Sequence, residues 1–311
     1  MPSGDATVCV IIPAYRMLGA LRRALASVAA QTRLPDEVIV VDDASPEPVT
    51  EDILALFPTL PARIIRHEEN QGAAGARNTG VAAAGCEFVA FLDADDEWHP
   101  QKLEKQLGFL AGQSEANQVS FTGYRLVHGA TGHADDRRVP LRGSPLDTYI
   151  WGCNVSLGST FMGRRDLFNR LGPFDTSLRR FEDWDWVLRS ADTHDIAVLS
   201  EILAVIHSGA WPSFESVRHS VRVLRRRYVR AIGFHSRTRA RIFVSSLQLE
   251  LSVAAYRAGR HFRATWYFLT VMALYPARDA NFWHAFFRRL MLDFCSRLKE
   301  IFLPRPSARQ I

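Results

Sequence analysis

The chain has 311 residues, of which 47% are hydrophobic and 23% are charged, as expected of a globular protein that forms a core. This length predicts one large domain or two ordinary ones. The four cysteines, Cys9, Cys86, Cys153 and Cys295, are scattered without a CxxC pair. The spacing excludes a disulfide framework and a zinc site and favours reduced thiols in a cytosolic protein.

The net charge of +5 conceals an acidic body and a basic tail. Residues 211–311 hold 19 Lys and Arg and 5 Asp and Glu, a net charge of +14, whereas residues 1–210 carry −9. The start has no basic flank or long apolar region, so no signal peptide is expected. No apolar run approaches the roughly 18 residues needed to span a bilayer. The sequence therefore predicts a body over residues 1–210 and a basic, amphipathic helical region over residues 211–311.

The first hundred residues alternate predicted strands with predicted helices. The strands are Val8–Ile12, Glu37–Val41, Arg63–Arg66 and Phe88–Leu92. The helices are Leu18–Ala30, a helix that starts at Ser45-Pro46 and continues through Val49–Phe57, and Ala73–Ala84. This order predicts parallel strands, with ligands bound at their carboxyl ends. Polar residues gather at those ends: Tyr15, Asp42-Asp43, His67–Asn70 and Asp93–Asp96.

The rest of the body shows a weaker pattern. The expected elements are a strand at Val119–Val127, an exposed loop or hairpin at Gly129–Ser144, a strand at Gly158–Met162, a short helix at Arg165–Arg170, a helix at Glu182–Arg189 and a last strand within Ile196–Ile206. After Pro212 the pattern is helical, over Val217–Ile232, Ala240–Ala258, Phe262–Leu274 and Asn281–Phe302.

The most informative segment is Phe88–Trp98, where an apolar run ends in Asp93, Asp95 and Asp96. Clustered carboxylates repel one another, so such a cluster is stable mainly when a cation lies on it. Two or three carboxylates suit Mg²⁺ or Mn²⁺ that keeps other positions for water and phosphate. The alternative is a polar turn after a core strand.

Together with its neighbours, this segment resembles a family 2 glycosyltransferase over roughly residues 8–210. The resemblance is carried by an ordered series: Val-Ile-Ile-Pro-Ala-Tyr (10–15), Ser-Val-Ala-Ala-Gln-Thr (27–32), Glu-Val-Ile-Val-Val-Asp-Asp-Ala-Ser (37–45), Asn-Gln-Gly-Ala-Ala-Gly-Ala-Arg-Asn-Thr-Gly (70–80), Phe-Leu-Asp-Ala-Asp-Asp (91–96), Gly-Pro-Phe-Asp (172–175), Glu-Asp-Trp-Asp-Trp-Val-Leu-Arg (182–189) and His207. It implies an α/β fold of the GT-A type, a Rossmann-like, mostly parallel sheet flanked by helices and followed by a helical C-terminal subdomain.

The resemblance also implies a donor-binding role for six residues: Pro13, Tyr15, Asp43, Arg77, Asp93 and Asp95. Asp43 would accept a hydrogen bond from the nucleobase, and Pro13 and Tyr15 would line the base and ribose. Asp95 would bind a divalent metal, Mn²⁺ or Mg²⁺, and His207 would be a further metal or diphosphate contact. From the residues alone, Arg77 fits a surface helix position equally well, and a single histidine such as His207 is more often structural than a ligand.

In the family, the second acidic residue of the Glu182-Asp183 pair is the general base of an inverting transfer, so Asp183 is the predicted catalytic residue. Glu182 and Trp184 are candidates for the acceptor side. Acidic residues here could instead favour the helix dipole, and the Trp184 and Trp186 rings could belong to the core. Arg225-Arg226-Arg227-Tyr228 matches poorly the Gln-x-x-Arg-Trp motif of polymer-building members, which favours addition of a single sugar.

The leading hypothesis is therefore transfer of a hexosyl or N-acetylhexosaminyl group from a nucleotide-sugar, expected to be a UDP-sugar, to a glycan or lipid-linked acceptor in bacterial cell-surface polysaccharide, lipopolysaccharide or glycoconjugate synthesis. One alternative is a catalytically silent relative that binds nucleotide or glycan. The basic tail carries no recognised nucleic-acid module, so no nucleic-acid partner is expected. The tail, above all Asn281–Phe302, fits either an interfacial helix on the cytoplasmic face of an anionic membrane or an ordinary helical subdomain.

Overall fold

The computed structural model describes residues 6–113, 119–129, 132–139, 142–153, 155–193, 196–209 and 211–274. Its strands are β1 (Val8–Ala14), β2 (Glu37–Asp42), β3 (Ala62–Arg66), β4 (Phe88–Phe91), β5 (Glu97–Trp98), β6 (Val119–Val127), β7 (Ala134–Arg137), β8 (Met162–Arg164) and β9 (Ile196–His207). Its helices are α1 (Leu18–Ala29), α2 (Glu51–Leu54), α3 (Gly72–Ala83), α4 (Lys102–Ala111), α5 (Pro145–Tyr149), α6 (Leu157–Thr160), α7 (Leu167–Leu171), α8 (Glu182–Thr193), α9 (Phe214–His235), α10 (Arg237–Arg257) and α11 (His261–Leu274).

The first four strands form the parallel half of one sheet, in the order β3-β2-β1-β4. Because neighbouring residues of a strand point to opposite faces, Cys9 and Ile11 enter one apolar cluster while Val8 and Val10 enter the other. Burial on both faces explains the almost continuous apolar runs in the sequence. The predicted α/β fold is confirmed, and its strand ends meet at one edge.

The second half of the sheet is mixed. Strand β8 pairs antiparallel with β4 and β6, β9 lies parallel to β6, and β5 pairs antiparallel with β9. Strand β7 pairs antiparallel with β6, so the polar segment Gly129–Ser144 contains one arm of a hairpin, one of the two predicted arrangements. Through its pairing with β5, strand β9 lies beside the acidic segment that follows β4.

Two predicted elements are wrong. The helix expected from Ser45 begins only at Glu51, because the buried Asp42 carboxylate accepts hydrogen bonds from the backbone N–H groups of Ser45 (2.9 Å) and Val49 (3.1 Å). Those bonds hold residues 45–49 as a loop. The strand expected at Gly158–Met162 is the helical turn α6 followed by β8, since the turn packs its backbone against the acidic segment.

The described C-terminal helices pack on the body. Phe243 of α10 contacts Trp184 of α8 with ring centroids 5.6 Å apart, and both belong to one apolar cluster. The division at residue 210 therefore stays a prediction about organisation, since the described helices share a core with the body. Among the described residues, no helix is long and apolar enough to cross a membrane. The predicted helix Asn281–Phe302 lies outside the described residues.

Candidate active site

Strained turns surround the carboxyl edge of the parallel strands. Among the described non-glycine residues, four have a positive φ: Arg16, Ala44, Ser156 and Phe181. Arg16 and Ala44 follow the ends of β1 and β2, and Phe181 directly precedes α8. Such conformations cost about 1–3 kcal/mol each and persist where the surrounding structure requires them, often at functional sites.

The acidic segment lies at this edge with its three carboxylates in different environments. The Asp93 side chain is 35% exposed, whereas Asp96 is buried. The Ser159 hydroxyl donates to Asp96 Oδ2 at 2.5 Å and accepts from the Asp93 N–H at 3.1 Å. Asp96 thus anchors the turn, while Asp93 and the partly buried Asp95 remain available to a ligand.

The electrostatics of this segment fit a bound cation. Burial and the neighbouring Asp93 carboxylate raise the pKa of both Asp95 and Asp96. A divalent cation would relieve the repulsion that raises them. Across the part of the chain that the structure describes, no group of three or more His, Cys, Asp and Glu side chains is placed to hold a metal ion. The carboxylates offer an open oxygen site, as expected for a metal shared with a diphosphate.

His207 lies beside the acidic segment at the end of β9. Its backbone N–H donates to Asp96 Oδ1 at 2.9 Å, and its Nε2 is 3.0 Å from Glu97 Oε1. It also lies close to Asp95, whose pKa burial and the Asp93 carboxylate raise. The metal or diphosphate contact predicted for His207 stays a prediction, since its ring nitrogen is shared with Glu97 here.

Arg77 joins the two acidic motifs of the sequence. Its guanidinium lies 2.7 Å from Asp93 Oδ1 and 3.1 Å from Glu182 Oε1, and only 4% of the residue is exposed. Burial disfavours the charged form, but Asp93 and Glu182 outweigh burial and raise the pKa of Arg77. A permanently charged Arg77 therefore binds Asp93 through one terminal nitrogen and Glu182, at the start of α8, through the other.

Asp183 lies at the amino end of α8, next to the strained Phe181. Its Oδ1 accepts from the Trp184 N–H at 2.7 Å, and the Cys153 thiol approaches its Oδ2 at 3.5 Å. Burial and Asp183 raise the pKa of Cys153 well above its usual value, so the thiol stays protonated and donates. Sequence reasoning missed Cys153 because nothing local marks a cysteine that lies 30 residues before its partner.

Trp184, a candidate for the acceptor side, belongs to the core, which is the alternative that the sequence left open. The residue is fully buried, its ring packs edge-on against Phe181 and Phe243, and its Nε1–H donates to the Tyr149 carbonyl at 2.8 Å. Trp184 anchors α8 in the core instead. Trp186, two residues on, is also fully buried.

The predicted nucleobase residues occupy the ends of β1 and β2. Tyr15 is 37% exposed, and the adjacent Pro13 is half-buried in β1. Asp43 is buried, and its two oxygens accept from the Gln71 and Gly72 N–H groups at 2.8 Å each. These bonds give Asp43 a structural task at the start of α3, and its contact with a base stays a prediction.

Comparison with known proteins matches this arrangement to one family. The sequence model of Glycosyl transferase family 2 matches residues 9–172, which include the acidic segment and Arg77. Among similar solved structures, Staphylococcus aureus TarS 1–349 in complex with UDP-GlcNAc superposes with a TM-score of 0.59 over 87% of this chain and 91% of that chain. The sequence identity is 19%, so this likeness concerns the fold.

Similar bacterial sequences include two from Bacillus subtilis and one from Rhizobium meliloti. The uncharacterized glycosyltransferase YwdF is 32% identical over 61% of this chain and 69% of its own length. The putative teichuronic acid biosynthesis glycosyltransferase TuaG is 41% identical over 46% of this chain and 52% of its own. The succinoglycan biosynthesis protein ExoW is 46% identical over 32% of each chain. The match thus spans about half of TuaG and a third of ExoW.

Proposed function

Because this chain belongs to glycosyltransferase family 2, we propose that it transfers a single sugar, with inversion, from a nucleoside-diphosphate sugar to a hydroxyl acceptor. The observation that carries the proposal is the Arg77 guanidinium, which lies within 2.7 Å of Asp93 and 3.1 Å of Glu182. It joins Asp93 of the acidic segment to Glu182, the neighbour of the candidate base Asp183, although the two carboxylates are about ninety residues apart in the sequence. A transferase needs the donor site and the base on either side of one reacting carbon.

On the donor side, Asp93 and Asp95 would hold a divalent metal and the ribose and diphosphate next to it. Mg²⁺ or Mn²⁺ bound there would neutralise the diphosphate as it leaves. The raised pKa of Asp95 fits this role, because burial and the Asp93 carboxylate disfavour its negative charge and a bound cation would stabilise that charge. Arg77 holds Asp93 in place, and Tyr15 offers an exposed ring to the base or ribose.

On the acceptor side, Asp183 would take the proton from the attacking hydroxyl. A base must reach that proton directly, so its position matters more than its intrinsic strength. Asp183 is oriented by the Trp184 N–H and the Cys153 thiol. Its neighbour Glu182 forms an ion pair with Arg77. Of these two acidic residues, Asp183 is therefore the one proposed to face an acceptor.

The relatives suggest a donor and a pathway class. TarS structures contain UDP or UDP-GlcNAc, which supports a UDP-sugar donor and an N-acetylhexosaminyl or hexosyl group for this chain. TuaG and ExoW carry names of polysaccharide biosynthesis, which supports a glycan or lipid-linked acceptor in bacterial cell-surface synthesis.

The decisive experiment removes the charge of Asp183 while keeping its shape. Asp183→Asn should abolish sugar transfer, read as nucleoside diphosphate released with a donor panel, Mn²⁺ and acceptor, while calorimetry shows donor affinity nearly unchanged. Asp192→Asn, an exposed position on the same helix, is the matched control. Loss of donor affinity together with turnover would contradict the base assignment. Donor binding without turnover in the wild type would favour a catalytically silent relative.

We also propose that the C-terminal helices hold the enzyme on the anionic cytoplasmic face of a membrane. Arg222, Arg226 and Arg230 follow one another at intervals of four on α9, so they share one exposed face. Phe234 continues that row and is 88% exposed. Helix α11 exposes its own apolar row at Phe262, Trp266 and Leu269, which are 84%, 60% and 57% exposed.

Arginines beside exposed aromatic rings fit an interfacial surface, where each basic residue contributes about 1 kcal/mol on anionic lipid. The triple change of Arg222, Arg226 and Arg230 to Gln should greatly reduce co-sedimentation with phosphatidylglycerol vesicles. Vesicles of phosphatidylcholine alone are the control. Equal binding by wild type and triple variant, or no binding by the wild type, would contradict the proposal. A defined dimer by light scattering would instead assign the α11 face to a second copy.

A further inference from the structure

A buried carboxylate links the catalytic body to the C-terminal helices. Asp185 of α8 is fully buried. Its carboxylate lies 3.1 Å from Nε of Arg189, 2.5 Å from a guanidinium nitrogen of Arg227 and 2.9 Å from the Tyr228 hydroxyl. A buried carboxylate requires such donors, because their hydrogen bonds replace those that it loses with water.

Two of these three donors come from α9, outside the body. Arg227 also reaches Asp175 at 2.9 Å, in the turn before α8. The Tyr228 hydroxyl lies 3.1 Å from the backbone oxygen of Asp185 as well, and its ring packs edge-on against Phe243. Helix α9 therefore holds both the side chain and the backbone of Asp185.

The backbone of Asp185 closes the first turn of α8. Its N–H donates to the Phe181 carbonyl at 2.9 Å, which closes the turn that carries Asp183. Phe181 has a φ of 66°, a conformation that this residue type keeps only when its surroundings enforce it. Asp183 and Asp185 are two positions apart and do not face each other on a helix, so any coupling runs through this turn.

We propose that Arg227 and Tyr228 are positioning residues that lock the first turn of α8 and so keep Asp183 aimed at the acceptor hydroxyl. The proposal rests on the proposed function of Asp183. It gives the C-terminal region a part in the reaction besides any contact with a membrane. It also separates Arg227 from Arg225 and Arg226: all three are exposed, but Arg227 reaches the buried Asp185 carboxylate.

The primary test removes only the hydroxyl that reaches Asp185. Tyr228→Phe keeps the ring contact with Phe243 and should lower kcat about tenfold, while the donor Kd changes less than about twofold, because small misplacement of a reacting group costs rate rather than donor affinity. Tyr267→Phe, whose ring packs on Phe214 of α9, is the matched control for loss of a tyrosine hydroxyl in the same region.

A second set of variants tests the guanidinium. Arg227→Met should lower kcat by about a hundredfold or more, and Arg227→Lys should restore part of it, since lysine can pair with Asp185 but not with Asp175 at the same time. Arg225→Met is the control for loss of an exposed arginine. Circular dichroism and thermal unfolding show which variants remain folded, and Tyr228→Phe carries the test if Arg227→Met does not fold.

Hydrogen exchange of residues 182–189 gives a readout that does not depend on turnover. These amides should lose protection in Tyr228→Phe relative to Tyr267→Phe. A kcat and exchange pattern equal to those of Tyr267→Phe would overturn the proposal, as would a parallel loss of donor affinity and kcat. If the wild type transfers no sugar, the proposed function fails, and unchanged exchange in Tyr228→Phe would then overturn the positioning role separately.

Discussion

A single added methyl group at Gly158 should disable the donor side without unfolding the protein. A Cβ at Gly158 would lie 2.0 Å from Asp93 Oδ2, 2.6 Å from Cγ and 2.8 Å from Oδ1. Gly158 is in the helical turn α6 and does not have a positive φ, so its backbone tolerates alanine. The three atoms nearest to the added Cβ all belong to the Asp93 carboxyl group.

The size of the effect follows from what holds Asp93. To reach ordinary carbon–oxygen contact of about 3.5 Å, the carboxylate must retreat by more than about 1 Å, away from Arg77 at 2.7 Å. A hydrogen bond between charged groups is worth about 1.5–3 kcal/mol, and solvent compensates part of it because Asp93 is 35% exposed. The free energy of unfolding should therefore fall by only about 1–2 kcal/mol, a melting shift of a few degrees.

Donor binding should suffer more, since Asp93 would contact the donor directly and a lost contact of a charged group is worth about 1.5–3 kcal/mol. Calorimetry with a UDP-sugar and Mn²⁺ should show donor affinity reduced at least tenfold. Gly108→Ala is the matched control, because a Cβ there meets nothing within 4 Å in helix α4. Donor affinity at the wild-type level in a folded Gly158→Ala protein would refute the assignment of Asp93 to the donor site.

Three further predictions concern the metal, a buried lysine and the sheet. Asp95→Asn should keep the fold and lose most turnover, and full activity of this variant or of wild type in excess chelator would contradict the metal assignment. Burial lowers the pKa of Lys102 to about 7 from 10.5, so the folded state binds fewer protons than the unfolded state between those values and stability should rise with pH across that window. Lys102→Met should flatten that rise, and urea midpoints at about pH 7 and pH 9.5 check it; equal slopes would contradict it. Gly80→Ala would place a Cβ 2.3 Å from Ile11 Cγ2 and should destabilise by about 1–3 kcal/mol, whereas unchanged thermal stability would show that the helix can shift away from the sheet.

The parallel half of the fold was readable from the sequence because local signals and tertiary contacts agree there. Strands such as Val8–Ala14 are buried on both faces, which requires an apolar run whatever their neighbours are. The acidic residues after β4 and the acidic start of α8 were readable for a similar reason, since each motif is contiguous. Their roles as metal ligand and base stay predictions.

Features fixed by the buried contacts of individual residues were beyond the sequence, whether the partners are near or far along the chain. The pattern around Ser45 predicts a helix start, but Asp42 holds that segment as a loop through its buried carboxylate. The pattern around Gly158 predicts a strand, but packing against the acidic segment imposes a turn. The sequence left Trp184 either on the acceptor side or in the core, and its burial against Phe181 and Phe243 shows that it is core.

The sequence by itself determined the family, the alternation of parallel strands with helices along the chain and the two acidic motifs, because these depend on residue type and local spacing. The tertiary structure alone decided that Arg77 joins those motifs, that Cys153 approaches Asp183, and that Arg227 and Tyr228 hold Asp185. These contacts join residues 16 to 105 positions apart. The partner of a buried charge is chosen by three-dimensional proximity and desolvation, which no local pattern encodes.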